Sequence, residues 1–207
     1  MTKKIHTIQS SDKVEFDKQV NELLELGCEL MDGGYQVINN DDGVVYSQVV
    51  VFKDNLKVEF YENGRLKSIC PSDKRNGLII GWYENGQKGE VKNYKDGKLN
   101  GLCTEWYENG QKKVEGTWKD GKEDGLNTFW YENGQKKEER TYKDGEKDGL
   151  STSWYDNGQK LAIRTYKDGN LRFSTWWYEN EQMKSKGTYK DGEKISGKGW
   201  NEDGSPK

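Results

Sequence analysis

The chain reads as a mainly β protein: an elongated single-layer antiparallel β-hairpin repeat array behind a small α+β module. Three observations carry that reading. The phrase Trp-Tyr-Glu-Asn-Gly-Gln stands at Trp82–Gln87, Trp106–Gln111 and Trp130–Gln135, and returns in altered form at Trp154–Gln159 and Trp177–Gln182. Each copy sets a turn dipeptide between two runs of aromatic and β-prone residues. Finally, 12% of the residues are aromatic, whereas only 31% are hydrophobic and 33% are charged. Such a chain can fold on stacked aromatics but cannot fill a thick two-layer core.

The amino-terminal module, residues 1–52, is predicted to be βαββ. Ile5 to Gln9 reads as a strand. Ser11 or Asp12 caps a helix whose apolar stripe is Phe16, Val20, Leu23, Leu24 and Leu26, ended by Gly27. Cys28 to Ile38 is a second strand, broken at Gly33-Gly34, and Val44 to Phe52 a third. The module is expected to cap the array.

The array is predicted over residues 53–207, with copies of the phrase starting 24, 24, 24 and 23 residues apart. A period of this length marks a unit whose faces are covered by its neighbours. Gly101 to Gly121 is the type example. Leu102 to Tyr107 forms one strand, Lys112 to Lys119 the next, and Asn109-Gly110 between them predicts a two-residue type I′ turn. The connection Lys-Asp-Gly-x-x-Asp-Gly-Leu, at Lys119–Leu126 and Lys143–Leu150, predicts a looser return of four to six residues. This register pairs Tyr107 with Lys112, Trp106 with Lys113, Glu105 with Val114 and Thr104 with Glu115. One face then carries Leu102, Thr104, Trp106, Lys113, Glu115 and Thr117; the other carries Cys103, Glu105, Tyr107, Lys112 and Val114, with Trp118. Isolated hairpins of this kind do not fold, so adjacent repeats must stabilise one another. An incomplete copy at Tyr61–Arg65 and a truncated one at Trp200–Gly204 end the array, as capping of a sheet edge requires.

Composition narrows the function classes. A net charge of −3, from 33 basic and 36 acidic residues closely interspersed, provides no field for nucleic acid or an anionic membrane. Cys28, Cys70 and Cys103 are odd in number and far apart, which fits reduced thiols rather than disulfides or zinc ligands. No stretch approaches a membrane span, and Met1–Ser10 is not followed by a signal-peptide apolar run, so a cytoplasmic protein is the expectation. Catalysis lacks parts: His6 is the only histidine and lies outside the array. The acid pairs Asp120/Asp124 and Asp144/Asp148 read as turn formers, because their spacing lacks the dense oxygens of a calcium loop. Neither a catalytic residue, a cofactor nor a metal is expected.

The phrase Trp-Tyr-Glu-Asn-Gly-Gln-Lys-Lys, with Gly116-Thr117-Trp118-Lys119-Asp120-Gly121 and Asp124-Gly125-Leu126, closely resembles the bacterial MORN-repeat variant over roughly residues 53–204. Proteins built this way are labelled YwqK-type toxin–antitoxin antitoxins, and the resemblance implies a protein partner, a toxin, and no enzymatic turnover. Val20 to Leu30 resembles a short bacterial domain of unknown function, the DUF1737 type, with Cys28 where that pattern has Trp.

The expected function is a non-enzymatic protein-binding scaffold. Trp106, Tyr107, Trp130, Tyr131, Trp154 and Tyr155 are its candidate partner-binding surface, since Trp and Tyr dominate interface hot spots. Two alternatives are a ligand-binding module for choline, glycan or lipid head groups, and a structural array that self-associates through a sheet edge.

Overall fold

Backbone conformation in the array follows two turn dipeptides, and they exchange the roles expected of them. Asp120 and Gly121 both have positive φ, 51° and 85°, as do the equivalent Asp-Gly steps at Asp96, Asp144, Asp168 and Asp191. With Lys119 paired to Lys122, this is the two-residue type I′ turn. Asn109 keeps negative φ and only Gly110, at 82°, is left-handed. The Gly110 N–H donates to the Tyr107 carbonyl at 2.9 Å and the Tyr107 N–H to the Gln111 carbonyl at 2.8 Å, so the loop has three residues, Glu108 to Gly110.

The reason is the Asn109 side chain. Its Oδ1 accepts from the Gln111 N–H, an Asx turn that holds the residue outside the left-handed region, and its Nδ2 donates to the Glu132 carbonyl of the next repeat. The longer loop moves Trp106 opposite Lys112, and a bulge at Lys113 then restores Glu105–Val114 and Thr104–Glu115 as predicted. Lys112 and Lys113 therefore exchange the faces expected for them.

The computed structural model describes residues 4–10, 20–21, 29–40, 43–52 and 56–207. The chain divides into two compact units, Met1–Val91 and Lys92–Lys207. In the first, β1 (Lys4–Ser10), β2 (Glu29–Asn40) and β3 (Gly43–Phe52) form an antiparallel sheet in the order β1-β3-β2. Pairing of β2 with β3 is interrupted between Leu30 and Tyr35, the interval that holds Gly33-Gly34. The helix predicted between the first two strands, and most of the segment likened to DUF1737, lie outside the described residues. Val20 is described and buried in a cluster with Leu66, Ile69, Ile80 and Trp82. Leu66 and Ile69 belong to β5 (Leu66–Pro71), Ile80 and Trp82 to β6 (Gly77–Trp82), and Leu56, Val58 and Phe60 of β4 (Leu56–Phe60) pack partly buried against them. This is an ordinary apolar core.

The second unit is built otherwise. It begins within β7 (Lys88–Lys95), passes the short β8 (Lys98–Leu99), and continues as β9 (Gly101–Trp106), β10 (Lys112–Lys119), the short β11 (Lys122–Glu123), β12 (Gly125–Trp130) and β13 (Lys136–Lys143). Then come β14 (Glu146–Trp154), β15 (Lys160–Lys167), β16 (Asn170–Trp177), β17 (Met183–Lys190) and β18 (Glu193–Gly199). From β9 to β18 the long strands pair in chain order as one open antiparallel sheet. Its buried positions are mostly small and many are polar: Cys103, Thr104, Asn127, Thr128, Ser151, Thr152, Ser153, Ala162 and Ser174, with Tyr142 the one large side chain. Long side chains laid across them take the place of a second layer.

Tyrosines tie the repeats together. The hydroxyl of Tyr107 donates to the Trp130 carbonyl, Tyr131 to Trp154, Tyr155 to Trp177 and Tyr178 to Trp200, at 2.8–3.1 Å. Trp200 of the truncated copy thus receives the last tie, and it bridges to Pro206. Among the described residues no helix is long and apolar enough to cross a membrane.

Candidate functional site

Strand alternation and the observed register sort the second unit's side chains onto two faces. A threonine face carries the continuous cross-strand row Thr104, Glu115, Thr128, Glu139, Thr152, Ile163, Thr175 and Lys186. Toward the Asn-Gly loops it holds Trp106, Trp130 and Trp154, paired with Lys112, Lys136 and Lys160. Lys112 and Lys136 form ion pairs with Glu115 and Glu139, so that charge is locally neutralised. Toward the Asp-Gly turns lies a second row, Leu102, Leu126, Leu150 and Phe173, with Thr117, Thr141, Thr165 and Thr188 opposite or between. These four large apolar residues are 51–56% exposed, one in each repeat. An apolar residue that the fold does not cover, at the same place in four successive repeats, is unusual for a sheet that buries mostly small polar groups.

On the opposite, arginine face the row Asn127, Arg140, Ser151, Arg164 and Ser174 alternates long and small side chains. Glu138 sits between the two arginines: Arg140 and Arg164 both donate to its carboxylate, the latter at 3.1 Å, and Ser151 adds a third bond. Burial pushes the Glu138 carboxyl upward, but Arg140, Arg164 and Ser151 outweigh it and hold the group below the usual carboxylate value. Arg140 is pushed further up by its bond to Glu138. Lys147, close by, is lowered by burial and then by the charge of Arg140 and Arg164. The guanidiniums also lie over Phe129 and Trp176, at 4.9 and 5.1 Å.

The predicted surface residues divide. Tyr107, Tyr131 and Tyr155 spend their hydroxyls on the inter-repeat ties, and burial raises each phenol. Lysines already stand over two of these rings, Lys113 on Tyr107 and Lys137 on Tyr131, which leaves little room for an aromatic cage around a quaternary ammonium. Trp106, Trp130 and Trp154 are half-buried along one margin of the threonine face. Asp148 accepts from the Lys167 ammonium and the Asp168 N–H, at the Asp-Gly turn of the next repeat. Among the described residues no cluster of His, Cys, Asp and Glu could hold a metal ion. Cys70 and Cys103 are buried free thiols, and burial raises the latter.

Sequence reasoning missed the apolar row, although Leu126 and Leu150 close both copies of the Asp-Gly connection. It also missed Arg140 and Arg164. Their signal was a break in the repeat, since Gly116 and Gly187 occupy the equivalent positions.

No curated protein matches the chain. The MORN repeat variant matches it four times, at residues 99–120, 123–144, 147–168 and 174–191. The first three matches each run from the strand pairing beside one Asp-Gly turn, through a complete hairpin, to the Asp of the next. The four matches fall within residues 99–191, and repeats of this variant provide binding scaffolds for proteins or ligands.

Proposed function

We propose that the array is a non-enzymatic scaffold that docks a protein partner on its threonine face, and that it acts as the antitoxin of a toxin–antitoxin pair. The exposed row of Leu102, Leu126, Leu150 and Phe173 carries this reading. It repeats with the array, so it offers a partner several equivalent anchors, and exposed contiguous apolar surface is where proteins associate. The row leads into a depression of about 400 Å³ lined by Phe173, Thr175, Thr188 and Ser196. Trp106, Trp130 and Trp154 form the other margin of the same docking surface.

The test compares the wild-type chain with the double variant Leu126→Lys, Leu150→Lys as bait in the native cell. Both positions are about half exposed, so stability should change by about 1 kcal/mol or less. The wild type is expected to capture a partner that the variant loses at unchanged melting temperature. That partner, expressed alone, should arrest growth and be relieved by the wild-type chain. Equal capture by both baits would remove the row from the function, and capture of a partner without toxicity would remove the antitoxin role. A light-scattering mass of two chains, reduced to one in the variant, would assign the row to a second copy instead.

A further inference from the structure

Positions that build the array recur in every copy, so residues unlike their counterparts mark places where something besides architecture is specified. Such residues gather on the arginine face where β10, β12 and β13 adjoin. There Val114 pairs with Phe129, and Phe129 with Glu138, across three neighbouring strands. The counterparts of Val114 in the following repeats are Glu138, Ala162 and Ser185; those of Phe129 are Glu105, Ser153 and Trp176. Val114 and Phe129 thus make an apolar floor that the next pair, Glu138–Ser153, does not reproduce, whereas Ala162–Trp176 beyond it is again apolar. Above it is a groove of about 370 Å³, walled by Tyr107 and Arg140 and bordered by Lys113 and Lys137.

Charge gives the groove a direction. Its two carboxylates are committed, Glu105 to Lys92 at 2.9 Å and Glu138 to both arginines. Lys113 and Lys137 are exposed and have no ion-pair partner among the described residues. Each ammonium instead lies over a tyrosine ring, at 5.9 and 5.4 Å. The rings are themselves held, because Tyr107 and Tyr131 donate to the Trp130 and Trp154 carbonyls. The two lysines stand on β10 and β13, on either side of β12, so their backbones are about 9.5 Å apart at ordinary strand spacing, with Phe129 between them. Both stems are long enough to turn inward. The Arg140 guanidinium lies over the Phe129 ring at 4.9 Å. An apolar floor with cations at its border that have no ion-pair partner, and no free carboxylate, matches one ligand chemistry: an apolar body that carries an anion.

We propose that this groove binds a small aromatic carboxylate, its ring against Val114 and Phe129 and its carboxylate between Lys113 and Lys137. A cationic ligand would meet three positive side chains. A neutral sugar would leave both ammonium groups unmatched, and a bare phosphate would leave the floor uncovered. The floor lies on the face opposite the apolar row, and Trp130 is the one lining residue the groove shares with the docking margin.

Titration calorimetry on the full chain tests it, with 3-phenylpropionate as probe and 3-phenylpropanol as the uncharged analogue. The acid is expected to bind saturably, and the alcohol about tenfold more weakly or less. The double variant Lys113→Glu, Lys137→Glu should lose about tenfold or more in affinity for the acid, while Leu126→Lys, Leu150→Lys keeps it. Val114→Glu places in this repeat the residue that the next repeat carries at the same position, so the fold accommodates it. It too should lose about tenfold or more by repelling the anion. Equal binding of acid and alcohol, unchanged affinity in the folded charge-reversal or Val114→Glu variants, or no saturable binding up to ~10 mM would overturn the proposal.

Discussion

Glu138 shows how a single side chain stabilises a sheet that has no thick apolar core. It is partly buried, and two arginines from β13 and β15 converge on it, so it links strands that do not pair directly. The position varies along the array, with Glu90, Val114, Ala162 and Ser185 in other copies, so its role cannot be read from the repeat. The sign of its pH dependence follows from the lowered folded-state pKa. Its contribution is complete above the ordinary value of 4.5 and is withdrawn as pH falls through the lower folded-state value. The wild-type melting temperature should therefore fall more steeply below about pH 4.5 than that of Glu138→Gln. The variant should be the less stable of the two at neutral pH, since two arginines lose their anion. Parallel melting curves against pH, measured by circular dichroism, would show that the network contributes nothing.

Hairpins are the elements of the array, and each is closed by two turns of different construction. The Asp-Gly turn needs positive φ at both residues; the Asn-Gly loop needs it only at the glycine. Asp120→Val should cost about 1–2 kcal/mol, since a β-branched residue resists the left-handed region. Asp120→Asn should stay within about 0.5 kcal/mol. Urea unfolding measures both, and similar losses in the two variants would contradict the turn assignment. Elements of this kind were largely legible in the sequence. Strand, loop and turn could be placed from the dipeptides, and the mid-strand pairs Glu105–Val114 and Thr104–Glu115 came out right. The turn types did not, because Asn and Asp tolerate positive φ comparably when only their local sequence is considered. What separates them is a side-chain bond that only the folded loop displays: Asn109, Asn133 and Asn157 each accept from the N–H two residues on, and Asn157 does so without a bond to the next repeat.

At the scale of the repeat unit, Tyr ties connect each copy of the second unit to its successor with an offset of 22 or 23 residues, and Asn109, Asn133 and Asn180 add a second tie. Stability should then add repeat by repeat. Deleting residues 123–146 removes 24 positions, one full period, and lets Tyr107 reach Trp154 as it now reaches Trp130. The shortened chain is expected to fold with a smaller urea m-value, in proportion to the surface no longer buried. Deleting 113–124, half a period, should abolish folding because it removes one strand and reverses the direction of all that follow. A folded half-period deletion, or an unfolded full-period one, would contradict nearest-neighbour construction.

The sequence by itself determined the architecture of the array: its hairpins, its period and its open antiparallel sheet. Those depend on backbone preferences and on a spacing repeated often enough to be read locally. The tertiary structure decided which residues remain for function. Whether an aromatic is a tie or an anchor depends on what lies one repeat away, and the hydroxyls of Tyr107, Tyr131 and Tyr155 are already taken by carbonyls there. Leu126 and Leu150 looked like the ends of turns, yet the pleat leaves them uncovered in a row. Exposure and cross-strand neighbours are properties of the assembled sheet, and no single repeat contains them.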